Sequence, residues 1–246
     1  MSDTHPVTAG IIYPDHAAED EYPTAAAMLA VALPVVHVYG TDLHAVPELL
    51  DLGAPDRLAE GAARLTAHPI ASVVWACTSG SFVYGPQGAW TQIEQLAAAA
   101  GVPASSTSIA FVDALADLGI STVAVAASYP QDVAALFVDY LAAAGVEVVA
   151  MGSADIDTAA EVGTLTPEQV IELAAGHDHP RAQALLVPDT AMRTLGVIPE
   201  LETRLGKPVL TANQVTIWQA LRLAGARPTS SALGTLFAQR QDHATE

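Results

Sequence analysis

The sequence predicts an α/β protein made of two pseudo-symmetric parallel-sheet subdomains with the active site in the cleft between them. Three observations predict this class. Short runs rich in valine and isoleucine alternate with alanine-rich segments, and strands of about five residues between helices of about ten or more indicate βαβ units and a parallel sheet. The same order of features occurs twice along the 246 residues. Hydrophobic residues make up 51% of the chain and aromatic residues only 5%, so the core is assembled from small, closely packed aliphatics.

In chain order, the apolar run Ala9–Tyr13 reads as a strand and leads to a helix over Pro23–Ala32. Val35–Val38 follows as a second strand, then a helix over Ala54–Ala67. Ser72–Ala76 is a third strand, with helices over Gly88–Ala100 and Ile109–Leu118 behind it. Gly101 after Ala99-Ala100 is a helix-end signal, because glycine accepts the left-handed conformation there. The pattern restarts at Thr122–Ala126, a strand followed by a helix over Pro130–Ala143 that Gly145 closes. Glu147–Met151 is the next strand. Thr166-Pro167-Glu168 then opens a helix over Pro167–Ala175 with an N-cap hydroxyl, proline in the first turn and an acid beside it. Ala184–Val187, a helix over Ile198–Leu205 ending at Gly206, the strand Val209–Thr211 and a helix over Val215–Leu223 complete the set.

Three matched pairs define the repeat. Gly10-Ile11-Ile12-Tyr13-Pro14 resembles Val125-Ala126-Ala127-Ser128-Tyr129-Pro130, Ala71–Ser79 resembles Ala182–Ala191, and Gly101-Val102-Pro103 resembles Gly206-Lys207-Pro208. The expected division places residues 1–113 and 214–246 in one subdomain and residues 114–213 in the other. The repeat makes Cys77 and Asp189 equivalent positions, one from each half and facing each other across the cleft.

A formal net charge of −18 means nucleic acid and anionic membranes are repelled over most of the surface. No basic and apolar leader occurs at the start, and no run reaches the ~18 apolar residues of a membrane span. The single cysteine forbids an internal disulfide, which fits a reducing compartment. A cytoplasmic protein is the expectation, with polar tails at about residues 1–8 and 238–246.

Cys77 lies where the run ASVVWA ends, in Cys77-Thr78-Ser79-Gly80-Ser81. Ligands of open α/β sheets bind outside the carboxyl ends of strands, and a thiol there can act as nucleophile or acid/base. The alternative is a buried structural cysteine. The N–H groups of this segment, at the start of a helix, and the Thr78 and Ser79 hydroxyls suit a carboxylate and the extra charge of an enolate-like transition state. Asp189, in Val187-Pro188-Asp189-Thr190, follows an apolar strand and precedes an expected helix, so N-capping is its alternative role. Tyr129 ends another strand and can donate to a carboxylate. Asn213, the only asparagine, is placed at a strand end by the repeat.

His5, His16, His37, His44 and His68 are scattered among separate segments, and Gly176 and Pro180 mark His177-Asp178-His179 as a loop. With one cysteine and no HExxH pattern, no metal is expected. No GxGxxG or GxxxxGK[ST] follows a strand, so nucleotide binding is unsupported.

At these residues the chain resembles the aspartate/glutamate racemase superfamily, closest to its maleate cis–trans isomerase and arylmalonate decarboxylase branch. The resemblance runs from Gly10 to about Pro228. It rests on Cys77-Thr78-Ser79, Ser128-Tyr129-Pro130, Asp189-Thr190 with Arg193-Thr194, and Asn213-Gln214 leading to Trp218. It implies two similar α/β halves, a site between them and no cofactor. The racemases of the superfamily place one cysteine on each side of the substrate carbon. Its maleate isomerases use the first cysteine as nucleophile on the double bond, and its arylmalonate decarboxylases keep only the second, as proton donor. By position, Cys77 matches the first cysteine, Thr78, Ser79 and Tyr129 match carboxylate-binding donors, and Thr190 matches the residue after the second cysteine. Asp189 stands where the second cysteine is expected, so the chain is neither the two-cysteine racemase nor the decarboxylase in pattern.

The resemblance implies a cofactor-independent isomerase or racemase acting on a small carboxylate, with Cys77 and Asp189 on opposite faces. An arylmalonate-type decarboxylase and a non-catalytic carboxylate-binding protein are the alternatives. Family members often self-associate, which leaves a homo-oligomer open.

Overall fold

A computed structural model of the chain describes residues 6–238. Its first sheet is formed by β1 (Ala9–Pro14), β2 (Val35–Val38), β3 (Ser72–Trp75) and β4 (Ala104–Ser106). The second is formed by β5 (Thr122–Ala127), β6 (Glu147–Ser153), β7 (Ala184–Val187) and β8 (Val209–Thr211). All pairings are parallel, in the orders β2-β1-β3-β4 and β6-β5-β7-β8. The two orders are the same arrangement, so the repeat in the sequence is a repeat in space. The inner strands β1, β3, β5 and β7 are almost wholly buried. They read as continuous apolar runs because helices cover both faces of each sheet.

The helices are α1 (Glu21–Leu29), α2 (Val46–Leu52), α3 (Pro55–Leu65), α4 (Ser79–Phe82), α5 (Gly85–Ala100) and α6 (Thr107–Leu118) in the first half. They continue as α7 (Gln131–Ala143), α8 (Ala159–Val162), α9 (Pro167–Gly176), α10 (Ile198–Leu205) and α11 (Ala212–Leu223). The Thr166 capping box opens α9, and Gly101 and Gly206 close α5 and α10 in the left-handed region, at φ of 70° and 65°. Helix α11 returns to the first sheet. The Thr107 and Thr216 hydroxyls lie 2.7 Å apart, the Gln219 amide donates to Asp113 at 2.7 Å, and the Ser72 hydroxyl donates to the Ala220 carbonyl at 2.6 Å.

Several elements differ from the sequence expectation. Strand β4 is only three residues, two of them serines, and its pairing with β3 rather than its composition makes it a strand. Helices α2, α4 and α8 are too short for a clear helical period to show. No helix directly follows Asp189; residues 188–197 form turns before α10 begins. The reason lies in where the backbone donors go. The Ala191 N–H is held by the Asp189 carboxylate and those of Thr194 and Leu195 by Glu21, so side chains displace the helical ladder. Of the expected tails, residues 1–5 and 239–246 lie outside the described residues. Thr8 already bridges to Ala32, so the fold begins earlier than the composition suggests. Among the described residues no helix is long and apolar enough to cross a membrane.

Candidate active site

Strand β3 ends at Trp75, and two residues later the chain turns into α4 with Cys77 at the bend. The Gly80 N–H donates to Cys77 Sγ at 3.2 Å and the Ser79 hydroxyl lies 3.7 Å from it. A side chain at Gly80 would bring its Cβ 3.0 Å from Sγ and 3.2 Å from the Trp75 ring, so glycine lets this turn fold over the thiol. Cys77 is only 4% exposed. Burial pushes its pKa up to about 11; the Gly80 N–H and Ser79 oppose the rise, and the Asp189 charge adds to it. The resting thiol is therefore protonated at neutral pH. The Gly80 N–H, expected to help cradle an anion, is spent on the sulfur itself.

Asp189 follows β7 by the same two residues. Its Oδ2 accepts a short hydrogen bond from the Ser128 hydroxyl and its Oδ1 accepts the Ala191 N–H at 2.9 Å. The backbone on both sides of it is clamped by phenols. Tyr129 donates to the Pro188 carbonyl at 2.5 Å, and Tyr13 donates to the Thr190 carbonyl at 2.8 Å. These tyrosines are the matched Tyr-Pro pair of the repeat, one from each half. Both phenols have pKa values raised well above the ordinary one, chiefly by burial.

Cys77, Ser79, Asp189 and Thr190 line one cavity of about 60 Å³. Thr78, Tyr129 and Asn213 do not line it. Thr78 is fully buried with its hydroxyl oxygen unpartnered, and its carbonyl accepts from Ser108 at 2.7 Å. The Asn213 amide donates to Glu21 at 2.8 Å and to the Thr190 carbonyl at 3.1 Å, while its oxygen accepts from Tyr22 at 2.9 Å. Asn213 thus braces the Asp189 turn from behind.

Sequence reasoning missed His44, Tyr13 and Glu21. His44 comes from a loop of the first half that crosses to the second. Its N–H donates to the Asp157 carbonyl at 2.7 Å, and Leu43 forms an antiparallel bridge with Thr158. The His44 Nδ1 donates to the Ile156 carbonyl at 3.0 Å, which turns Nε2 toward Asp189 Oδ2, 3.9 Å away. Nothing in the local sequence marks that histidine. Tyr13 could have been found, because the repeat equates it with Tyr129. The histidines are also less scattered than the sequence suggests, since His16 and His37 meet at Glu19.

A thiol and a carboxylate at matching strand ends line one cavity between two like α/β halves, and such a pair is chemically able to transfer protons or to attack as a nucleophile. The family model for arylmalonate decarboxylase matches residues 10–237. The chain is 30% identical to an arylmalonate decarboxylase of Bordetella bronchiseptica over 182 residues, covering 70% of this chain and 75% of that protein. It is 29% identical to a maleate isomerase of Alcaligenes faecalis over 125 residues, covering 50% and 49%. Among solved structures, a liganded double mutant of arylmalonate decarboxylase, glycine to cysteine and cysteine to serine, superposes with a TM-score of 0.84 at 25% identity. The superposition covers 94% of this chain and 98% of that one. The chain belongs to the arylmalonate decarboxylase family.

Proposed function

We propose that the protein is a cofactor-independent isomerase of a small aliphatic carboxylic acid, with Cys77 and Asp189 acting from opposite faces of the substrate carbon. The observation that carries this reading is that these two groups, from equivalent ends of β3 and β7, line the same cavity. The similarity to a maleate isomerase supports the reaction class. Cavity size supports the substrate class. An apolar cavity of about 150 Å³ holds one benzene ring, whereas this one measures about 60 Å³.

On an unsaturated diacid, the Cys77 thiol gives its proton to solvent and Sγ adds to one face of the double bond, placing the electron pair on the neighbouring carbon and its carboxylate. Rotation about the new single bond and expulsion of the thiolate yield the trans isomer, and sulfur regains a proton from solvent, with Asp189 standing at the opposite face. On a saturated acid, Asp189 removes the α-proton and Cys77 donates its own to the other face. Ser79 and Thr190, which line the cavity, bind the substrate carboxylate, and Ser128 and His44 hold Asp189 in place.

A decarboxylase is the second reading, favoured by two observations. The thiol is protonated at rest and so ready to donate to a carbanion left by carbon dioxide loss. Leu43, Leu49 and Leu52 give the cavity an apolar wall that would destabilise a departing carboxylate. Proton NMR in D₂O with maleate, aspartate and glutamate enantiomers, and methyl- and phenylmalonate separates the readings. Isomerisation or α-deuteration that Cys77→Ala abolishes supports the isomerase. Carbon dioxide release from a malonate without isomerisation of any acid would replace it with the decarboxylase. Binding without turnover would leave a carboxylate-binding protein.

A further inference from the structure

At the rim of the cavity, the turn after β1 and the neighbouring strand β2 bring together a group that neither half of the catalytic pair uses. His16 Nδ1 lies 2.6 Å from Glu19 Oε1, and His37 Nε2 lies 3.8 Å from the same oxygen. The three ligand atoms all fall within 4.8 Å of one another. We propose that His16, Glu19 and His37 form a binding site for one divalent first-row transition-metal ion, of which zinc is the reference. Two imidazoles and a carboxylate are a donor set that zinc takes, with bonds of about 2.0–2.2 Å, and a tetrahedral ion sets such atoms roughly 3.3–3.5 Å apart. A sub-ångström movement of Glu19 away from His16 and toward His37 brings its oxygen to that distance from both imidazoles, and the two imidazole nitrogens, within 4.8 Å of each other, close on the ion.

The His16–Glu19 pair alone would read as a local ion pair on a turn. His37 is what that reading leaves unexplained. Its Nε2 is buried with no hydrogen-bond partner, although buried ring nitrogens ordinarily have one. The ring is held in that orientation. It meets Tyr13 edge-on at 6.2 Å, stacks with Tyr39 at 6.3 Å, and is paired with Tyr13 in the register of β1 and β2. Glu19 is likewise preset, because the Ala17 N–H holds Oε2 at 2.8 Å and leaves Oε1 toward both histidines. His16 also lines the cavity that Cys77 and Asp189 share. Three protein ligands leave a fourth position for water. The spacing of three residues followed by a return from a neighbouring strand matches no short metal motif, which is why the sequence does not display it.

The test uses untagged, chelator-treated protein and Zn²⁺ itself, by equilibrium dialysis with elemental analysis, and Co²⁺ with its visible absorption as a spectroscopic report. The expected result is one equivalent of Zn²⁺ per chain, with affinity at least about tenfold weaker in His16→Ala and in His37→Ala and unchanged in His68→Ala. Co²⁺ bands should appear in the wild type and fade in the same two variants. His16 is largely exposed, so its variant keeps the fold even where His37→Ala does not, and circular dichroism checks both. Substoichiometric binding, or binding that His16→Ala leaves intact, would overturn the proposal and assign the metal to other histidines. Neither readout depends on turnover.

Discussion

Glu21 offers a direct measure of how the two halves are joined behind the site. It sits on α1 of the first half at 7% exposure. Its Oε1 accepts the Thr194 and Leu195 N–H groups of the second half, both at 2.7 Å, and its Oε2 accepts from Asn213 at 2.8 Å. Burial is the largest influence and raises the pKa from 4.5 to about 7, against the hydrogen bonds from Asn213, Leu195 and Thr194. The folded chain therefore holds this proton more tightly than the unfolded chain. The stability it contributes is fully present below about pH 4.5 and is lost as pH rises through about 7. A rise of about 2.5 pH units at about 1.4 kcal/mol each makes the loss about 3–4 kcal/mol. Glu21→Gln removes the titration while keeping the shape. Urea denaturation of both proteins at constant ionic strength, in steps from pH 4 to 8.5, isolates this group as the difference between the two curves. The wild type should lose about 3–4 kcal/mol relative to Glu21→Gln across that window. Parallel curves would refute the argument and mean that three donors offset the cost of burying the charge.

The remaining predictions concern the site and its supports. Alkylation of native Cys77 should be slow at neutral pH and accelerate toward about pH 11, in contrast to the urea-unfolded chain; a thiol titrating near its ordinary value would contradict the burial argument. Asp189→Asn should abolish turnover with little change in melting temperature, whereas loss of folding would make Asp189 chiefly structural. His44→Ala should lower kcat at least about tenfold with a smaller change in KM, and His44→Gln should restore part of it; equal effects of both variants would argue against a role in holding Asp189. Gly53→Ala would place a Cβ 2.2 Å from the Gly80 carbonyl oxygen. It should cost about 1–3 kcal/mol in chemical denaturation and disturb the Cys77 turn as well.

What the sequence makes legible here is the part of the molecule governed by local repetition. The apolar runs that become β1, β3, β5 and β7 are read correctly because both faces of these strands are buried, and the repeat places Cys77 and Asp189 at equivalent strand ends. Two classes of feature stay hidden. Ala104-Ser105-Ser106 becomes a strand through its neighbour β3, and polar composition conceals that. The turn after Asp189 is decided by Glu21, some 170 residues earlier in the chain, which takes the N–H groups a helix would have used. His44 is hidden for the same reason. Its relevance comes from a loop crossing between halves and from a hydrogen bond to Ile156, neither of which has a local signature.

The supports of Cys77 and Asp189 are separate. Cys77 is held by Gly80 and Ser79 within its own turn, and Asp189 by Ser128 and Ala191 within the other half. Among the described residues they have no hydrogen-bond partner in common. The molecule is in this sense a pair of sockets with independent supports, coupled through charge, since Asp189 helps to raise the Cys77 pKa. Under the proposed function, replacing the occupant of one socket would change which side of the substrate gives or takes a proton, and Asp189→Cys is the shortest step from a mixed thiol–carboxylate pair to a matched one.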